Sequence, residues 1–136
     1  MKRIFVLALL AGCGQKAPDP AQLALGEKLY AQHCASCHGA KLEGQPDWQK
    51  RLSNGRFPAP PHDDSGHTWH HPDEVLFAIT RNGMVPPYAP PDYQSDMPAF
   101  AGTLSDSEIR AVLAYIASRW SGEVRKARNE MLRNRR

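Results

Sequence analysis

Cys34-Ala35-Ser36-Cys37-His38 sets two thiols three positions apart with an imidazole on the next residue. This C-x-x-C-H order is the signature of covalent c-type haem attachment. The spacing has a physical reason: both sulfurs must reach the two vinyl groups along one haem edge while the histidine turns under the iron. A bare C-x-x-C pair also serves dithiol redox proteins and half-sites for zinc. The former accompanies a strand pattern and the latter a second cysteine pair; the sequence offers neither. One covalent haem is therefore the expected cofactor, held by Cys34 and Cys37, with His38 on the iron.

An iron that passes electrons without binding small molecules needs a sixth ligand, and methionine in that place raises its potential. Met97 and Met84 are the candidates, each in a proline-rich stretch. Met97-Pro98-Ala99-Phe100 lies shortly before the last clear helix, where a stiff loop can press a thioether onto iron, so Met97 is the expected ligand and Met84 the alternative. Trp69 and one of the neighbouring histidines are expected to contact the haem, as donors to its propionates or as a pocket wall. The histidines at 62, 67, 70 and 71 raise copper or zinc, since imidazole suits both. No carboxylate or cysteine spacing completes such a site, so a second metal is not expected. No catalytic residues and no nucleic-acid contact are expected.

These residues must be positioned by a chain of 136 residues with 12 prolines and 10 glycines, small enough for one core and rich in loop. Asp19-Pro20 reads as an N-cap with proline in the first turn, predicting a helix to about Cys37. Residues 39–72 show no sustained period and read as a long loop, acceptable inside a small domain if it wraps a cofactor. Pro72-Asp73-Glu74 opens a short helix closed by Asn82-Gly83. Ser105 and Glu108 form a capping box, and Ile109, Val112, Leu113 and Ile116 recur at helical spacing up to about Trp120.

The start, Met1-Lys2-Arg3 and then the apolar run from Ile4 to Ala11, reads as an export signal over 1–12. Leu10-Ala11-Gly12-Cys13 resembles a bacterial lipobox. Cys13 is then expected to carry lipid, with 13–19 as tether, 20–120 as the folded domain and 121–136 as a basic tail. Several acyl chains on one residue, at about 0.8 kcal/mol per buried methylene, would hold the protein to a membrane. Charge is uneven: residues 13–120 carry 9 Lys and Arg against 12 Asp and Glu, whereas 121–136 carry 6 against 2. That tail reads as a solvated end, with contact to anionic lipid or an acidic partner as the other reading.

Taken together, Gly26-x-x-x-Tyr30, Cys34 to Gly39, Met97-Pro98-Ala99-Phe100 and Leu104-Ser105-Asp106 leading to Tyr115-Ile116 resemble the class I monohaem cytochromes c over about residues 21–120. The resemblance implies an all-α fold of three to four helices wrapped with long loops around one haem, the first and last crossing near Gly26. It also implies a proline carbonyl accepting the Nδ1 hydrogen of His38, and Pro46 best matches that position. The expected role is a periplasmic, membrane-anchored electron carrier between respiratory redox proteins. A haem enzyme or gas sensor with an open sixth position, and a copper-handling cytochrome using residues 62–71, are the alternatives.

Overall fold

In a computed structural model, which describes residues 18–135, the backbone forms helices and loops and, among those residues, no strands. Helix α1, Pro20–His33, starts where the sequence places it: the Asp19 carboxylate accepts from the Ala21 N–H at 3.1 Å, satisfying a donor the helix leaves unpaired. It stops earlier than expected. Cys34 leaves helical geometry at φ −120°, and the chain then makes one separate turn, α2, over Ala35–His38.

A 3₁₀ turn, Thr68–His70, precedes α3, Asp73–Asn82, whose Gly83 cap has φ 82°. Helix α4, Asp106–Ser118, carries the complete capping box: Ser105 Oγ accepts from Glu108 N–H, and the Glu108 carboxylate accepts from Ser105 N–H at 2.8 Å. That pairing holds the Glu108 carboxyl below its usual range.

Helix α1 packs chiefly on α4. At the crossing a Cβ on Gly26 would collide with the Ala111 carbonyl and crowd Tyr115, so only a residue without a side chain allows this approach. Tyr30 and Tyr115 pack at 5.6 Å between ring centres, and Leu29, Ile109, Val112 and Ile116 complete the centre of the core. The all-α expectation and the Gly26 crossing are both met.

The basic end departs from expectation. Residues Gly122–Arg133 form α5, with Ser121 capping Val124 N–H at 3.2 Å, so this segment is a docked helix instead of a frayed terminus. Arg128, one of the six basic residues read as solvated, is 6% exposed. Its guanidinium donates to the carbonyl oxygen of Trp69 at 2.7 Å, to that of His71 and to the Asp73 carboxylate, and lies over the Trp120 ring at 5.2 Å. A single planar fork thus ties α5 to the 3₁₀ turn and to the start of α3.

Charge-assisted hydrogen bonds of this kind contribute about 1.5–3 kcal/mol each, and truncating one partner leaves the carbonyls unpaired. Arg128→Ala should lower the unfolding free energy of the holoprotein by about 2–4 kcal/mol, read as a reduced midpoint in urea. Removal of an exposed cation on the same helix, such as Lys126→Ala, should change it by less than about 0.5 kcal/mol.

Candidate haem site

The single turn of α2 explains why the motif has its spacing. Cys37 N–H and His38 N–H both donate to the Cys34 carbonyl, at 3.1 and 2.9 Å, and Cys34 N–H closes α1 on the Tyr30 carbonyl at 2.9 Å. One helical turn therefore brings the two thiols to the same side and sets His38 directly after them. Tyr30, buried in the core, donates its hydroxyl to the Gly39 carbonyl at 2.8 Å and so fastens the end of the motif to α1.

Cys34 is half-buried, Cys37 exposed, and the two are not joined in a disulfide. Burial, with a contribution from Cys37, pushes the Cys34 thiol up to about 11. A dithiol redox centre works through a lowered thiol pKa, so the local environment argues against that use of the pair.

His38 is 7% exposed and its Nδ1 lies 2.8 Å from the Pro60 carbonyl oxygen. The carbonyl can only accept, so Nδ1 carries the proton and Nε2 is left free for a metal. Burial lowers the His38 pKa, the Pro60 bond opposing it in part; the ring is neutral, as ligation requires.

The proline is Pro60, not Pro46. Gly44 N–H donates to the His38 carbonyl at 2.7 Å; then Gln45 N–H donates to the Ala59 carbonyl at 2.9 Å while the Gln45 side chain accepts from Ala59 N–H at 2.8 Å. Residues 46–58 are thus an excursion whose two ends are joined, and the chain returns at Pro60 to the place Pro46 was expected to fill. Pro46 itself is exposed. Gly44 makes the return possible: it has φ 69°, and a Cβ there would press into the backbone of Pro60 and Pro61.

Met97, Trp69, Cys34 and Phe77 come from four separate segments, and all pack, half-buried, against the same core cluster. Among the described residues that apolar shell includes Met97 and not Met84, which is half-buried in the loop after α3. The Met97 loop is fixed at both ends. Phe100 and Ala101 N–H donate to the Thr80 and Arg81 carbonyls at the end of α3, at 3.1 and 2.9 Å, and Asp96 pairs with Arg56 of the closed excursion.

Trp69 Nε1 is buried and has no hydrogen-bond partner in the protein. A donor left alone in a low-dielectric setting is costly, and an acceptor on a bound group would satisfy it. Two unpaired thiols, a histidine with Nε2 free and this orphaned donor together fit a covalently held haem.

The other histidines do not converge. His62 lies behind His38, ring centres 4.0 Å apart; His67 stacks on Trp48 at 5.4 Å and meets the edge of His71 at 5.3 Å; His70 stacks on Trp69 at 3.6 Å. Among the described residues no three or more His, Cys, Asp or Glu side chains are placed to share a metal ion. His62, expected among the candidate metal ligands and propionate donors, lies instead against the back of His38, and Leu42 and Arg128 are site residues that sequence reasoning does not find. Neither Leu42 nor Arg128 carries a local signal for that role. Cys13 lies outside the described residues. Among those residues no helix is long and apolar enough to cross a membrane.

Comparison with known proteins agrees with this geometry. Residues 21–116 match the family described as cytochrome c oxidase, cbb3-type, subunit III, and the chain belongs to that cytochrome c family, whose cofactor is covalently bound haem c. It is 36% identical over 104 residues to the cbb3-type cytochrome c oxidase subunit CcoP of Rubrivivax gelatinosus, an alignment covering 75% of this chain but 27% of that protein. It is 32% identical over 110 residues to cytochrome c6 of Tetradesmus obliquus, covering 76% of this chain and 97% of that one. The chain thus spans about a quarter of the length of the oxidase subunit and nearly all of the cytochrome c6. No solved structure matches. Helix α5 lies beyond residues 21–116, which the family matches.

His62 also makes the fold sensitive to acid. Burial pushes His62 from 6.5 down to about 3, the neighbouring His38 and His67 adding to it. Below about pH 6.5 the unfolded chain takes up a proton at this position and the folded chain does not, so stability falls as pH falls. The loss is about 1.4 kcal/mol per pH unit for one such group, and is complete only near the folded pKa. Between pH 7 and about 4.5, His62→Phe should therefore lose roughly 2 kcal/mol less than the parent, measured by urea unfolding of the holoprotein at each pH.

Proposed function

We propose that this chain is a membrane-tethered, periplasm-facing carrier of single electrons. One haem c is held by thioether bonds to Cys34 and Cys37, with His38 and Met97 on the iron and lipid on Cys13. The observation that carries the reading is the α2 turn, which sets both thiols and a neutral, Nδ1-bonded histidine within five residues.

The bound haem supplies a one-electron couple at its iron. The chain does the rest. Pro60 holds the His38 tautomer, the loop anchored at Thr80 and Arg81 presents Met97, and Trp69 offers its N–H to a propionate. Rigid ligands reorganise little when the charge on iron changes, which favours fast transfer. Transfer needs only a weak, transient contact with a partner at the haem edge. Both named relatives are redox proteins, one of them a subunit of a terminal oxidase, which supports respiratory donors and acceptors as partners.

Optical and redox titration of the purified holoprotein, with Met97→Ala and Met84→Ala, tests the ligand set. Met97→Ala should abolish the methionine-to-iron absorption band and lower the reduction potential, because a thioether ligand favours the ferrous state; Met84→Ala should change neither. Loss of the band on Met84→Ala alone would reverse the assignment. Rapid carbon monoxide binding to the unmutated ferrous protein would count against a carrier and for a haem enzyme or sensor. Labelling with radioactive palmitate in cells, absent in Cys13→Ser, tests the tether.

A further inference from the structure

We infer that His62 is a positioning residue for His38: its imidazole stacks on the back of the haem histidine and fixes the plane in which that ring meets the iron. The two rings lie 4.0 Å apart between centres and 24° from parallel. The hydrogen bond from His38 Nδ1 to the Pro60 carbonyl holds one atom of the ring. Tied at Cβ and at Nδ1, the ring can still rock about the line joining those two atoms. A flat neighbour against its face removes that freedom.

His62 is itself held more firmly than packing requires. Its N–H donates to the Leu42 carbonyl at 2.8 Å, its carbonyl accepts from Trp120 Nε1 at 2.9 Å, and its Nδ1 meets Thr68 Oγ1 at 2.8 Å. Thr68 is buried, and its hydroxyl reaches the Pro61 carbonyl at 3.3 Å. Leu42, fully buried, adopts φ 68°, an unfavourable left-handed conformation for leucine, and its carbonyl receives both His62 and Asp63 N–H. Backbone strain persists only where the surroundings enforce it, and here it aims a carbonyl at His62. An aliphatic residue would fill the same space but could make neither the Thr68 bond nor a ring-to-ring contact.

The outer partners of a metal-bound histidine set its orientation and its basicity. Loosening the His38 ring weakens the Pro60 bond, makes the ligand a poorer donor to ferric iron and raises the potential. The inference rests on His38 being the iron ligand, and the experiment separates the two. The ferric electron paramagnetic resonance spectrum and the reduction potential are measured for the purified holoprotein and for His62→Leu, His62→Phe and Thr68→Val. The parent should give one sharp low-spin signal. His62→Leu should broaden or split it, shift its largest g value and raise the potential. His62→Phe, which keeps a flat ring but loses the Thr68 bond, should keep one sharp signal shifted no further than in Thr68→Val, and Thr68→Val should shift signal and potential in the direction of His62→Leu by less. A parent without a low-spin, histidine-ligated signal would overturn the ligand reading itself. A normal parent with His62→Leu and Thr68→Val unchanged, or with His62→Phe as disturbed as His62→Leu, would overturn the positioning role. If His62→Leu fails to retain haem, the nearly isosteric Thr68→Val decides alone.

Discussion

The hydrogen bond from His38 to the Pro60 carbonyl is the constraint around which the loops are arranged. A histidine that follows two cysteines in a single helical turn has its backbone fixed but not its ring. The acceptor must come from elsewhere in the chain, and here it comes from 22 positions away. Several otherwise unrelated features serve that delivery: the joined ends at Gln45 and Ala59, the missing side chain at Gly44, and the strained backbone at Leu42. Each costs conformational freedom, and together they leave the returning strand of loop one place to lie.

The helices provide the fixed frame for that loop. The close crossing at Gly26 lets α1 and α4 share Tyr30, Tyr115 and their apolar neighbours, and α1 then runs directly into the cysteines. Trp120, just past α4, reaches back to the His62 carbonyl, so the far end of the frame also grips the loop behind the histidine. Helix α5 adds a second grip through Arg128 on the carbonyls of Trp69 and His71. The His38 side is therefore braced from both ends of the frame, while Met97 is carried by a loop tied to α3.

The legible parts of the sequence were those in which cause and effect lie within a few residues. Asp19 before Pro20, Ser105 with Glu108, and Gly83 after Asn82 mark helix ends by local chemistry, and the structure places each where it was read. The attachment motif is local for the same reason. The identity of the acceptor proline was not legible, because it depends on where a loop closes, and that is decided by a side chain pairing with a backbone 14 residues on. Arg128 was hidden for a related reason: in a strongly basic segment nothing in its neighbours distinguishes the one guanidinium that is buried. The break at Cys34 is not legible because no proline or glycine announces it.

The joined ends of the 46–58 excursion have a consequence for how such a protein can diverge. Because the loop is closed on itself before the chain reaches Pro60, its length is uncoupled from the placing of the Pro60 acceptor, so long as Arg56 keeps its hold on Asp96. Lengthening a flexible loop costs only about 0.6 kcal/mol per doubling. Away from Arg56 the segment can therefore accumulate insertions, charges or aromatic residues and take on new surface while the bond from His38 to Pro60 stays as it was. Selection for a different partner has, in this closed loop, a region to act on without disturbing the acceptor that orients His38.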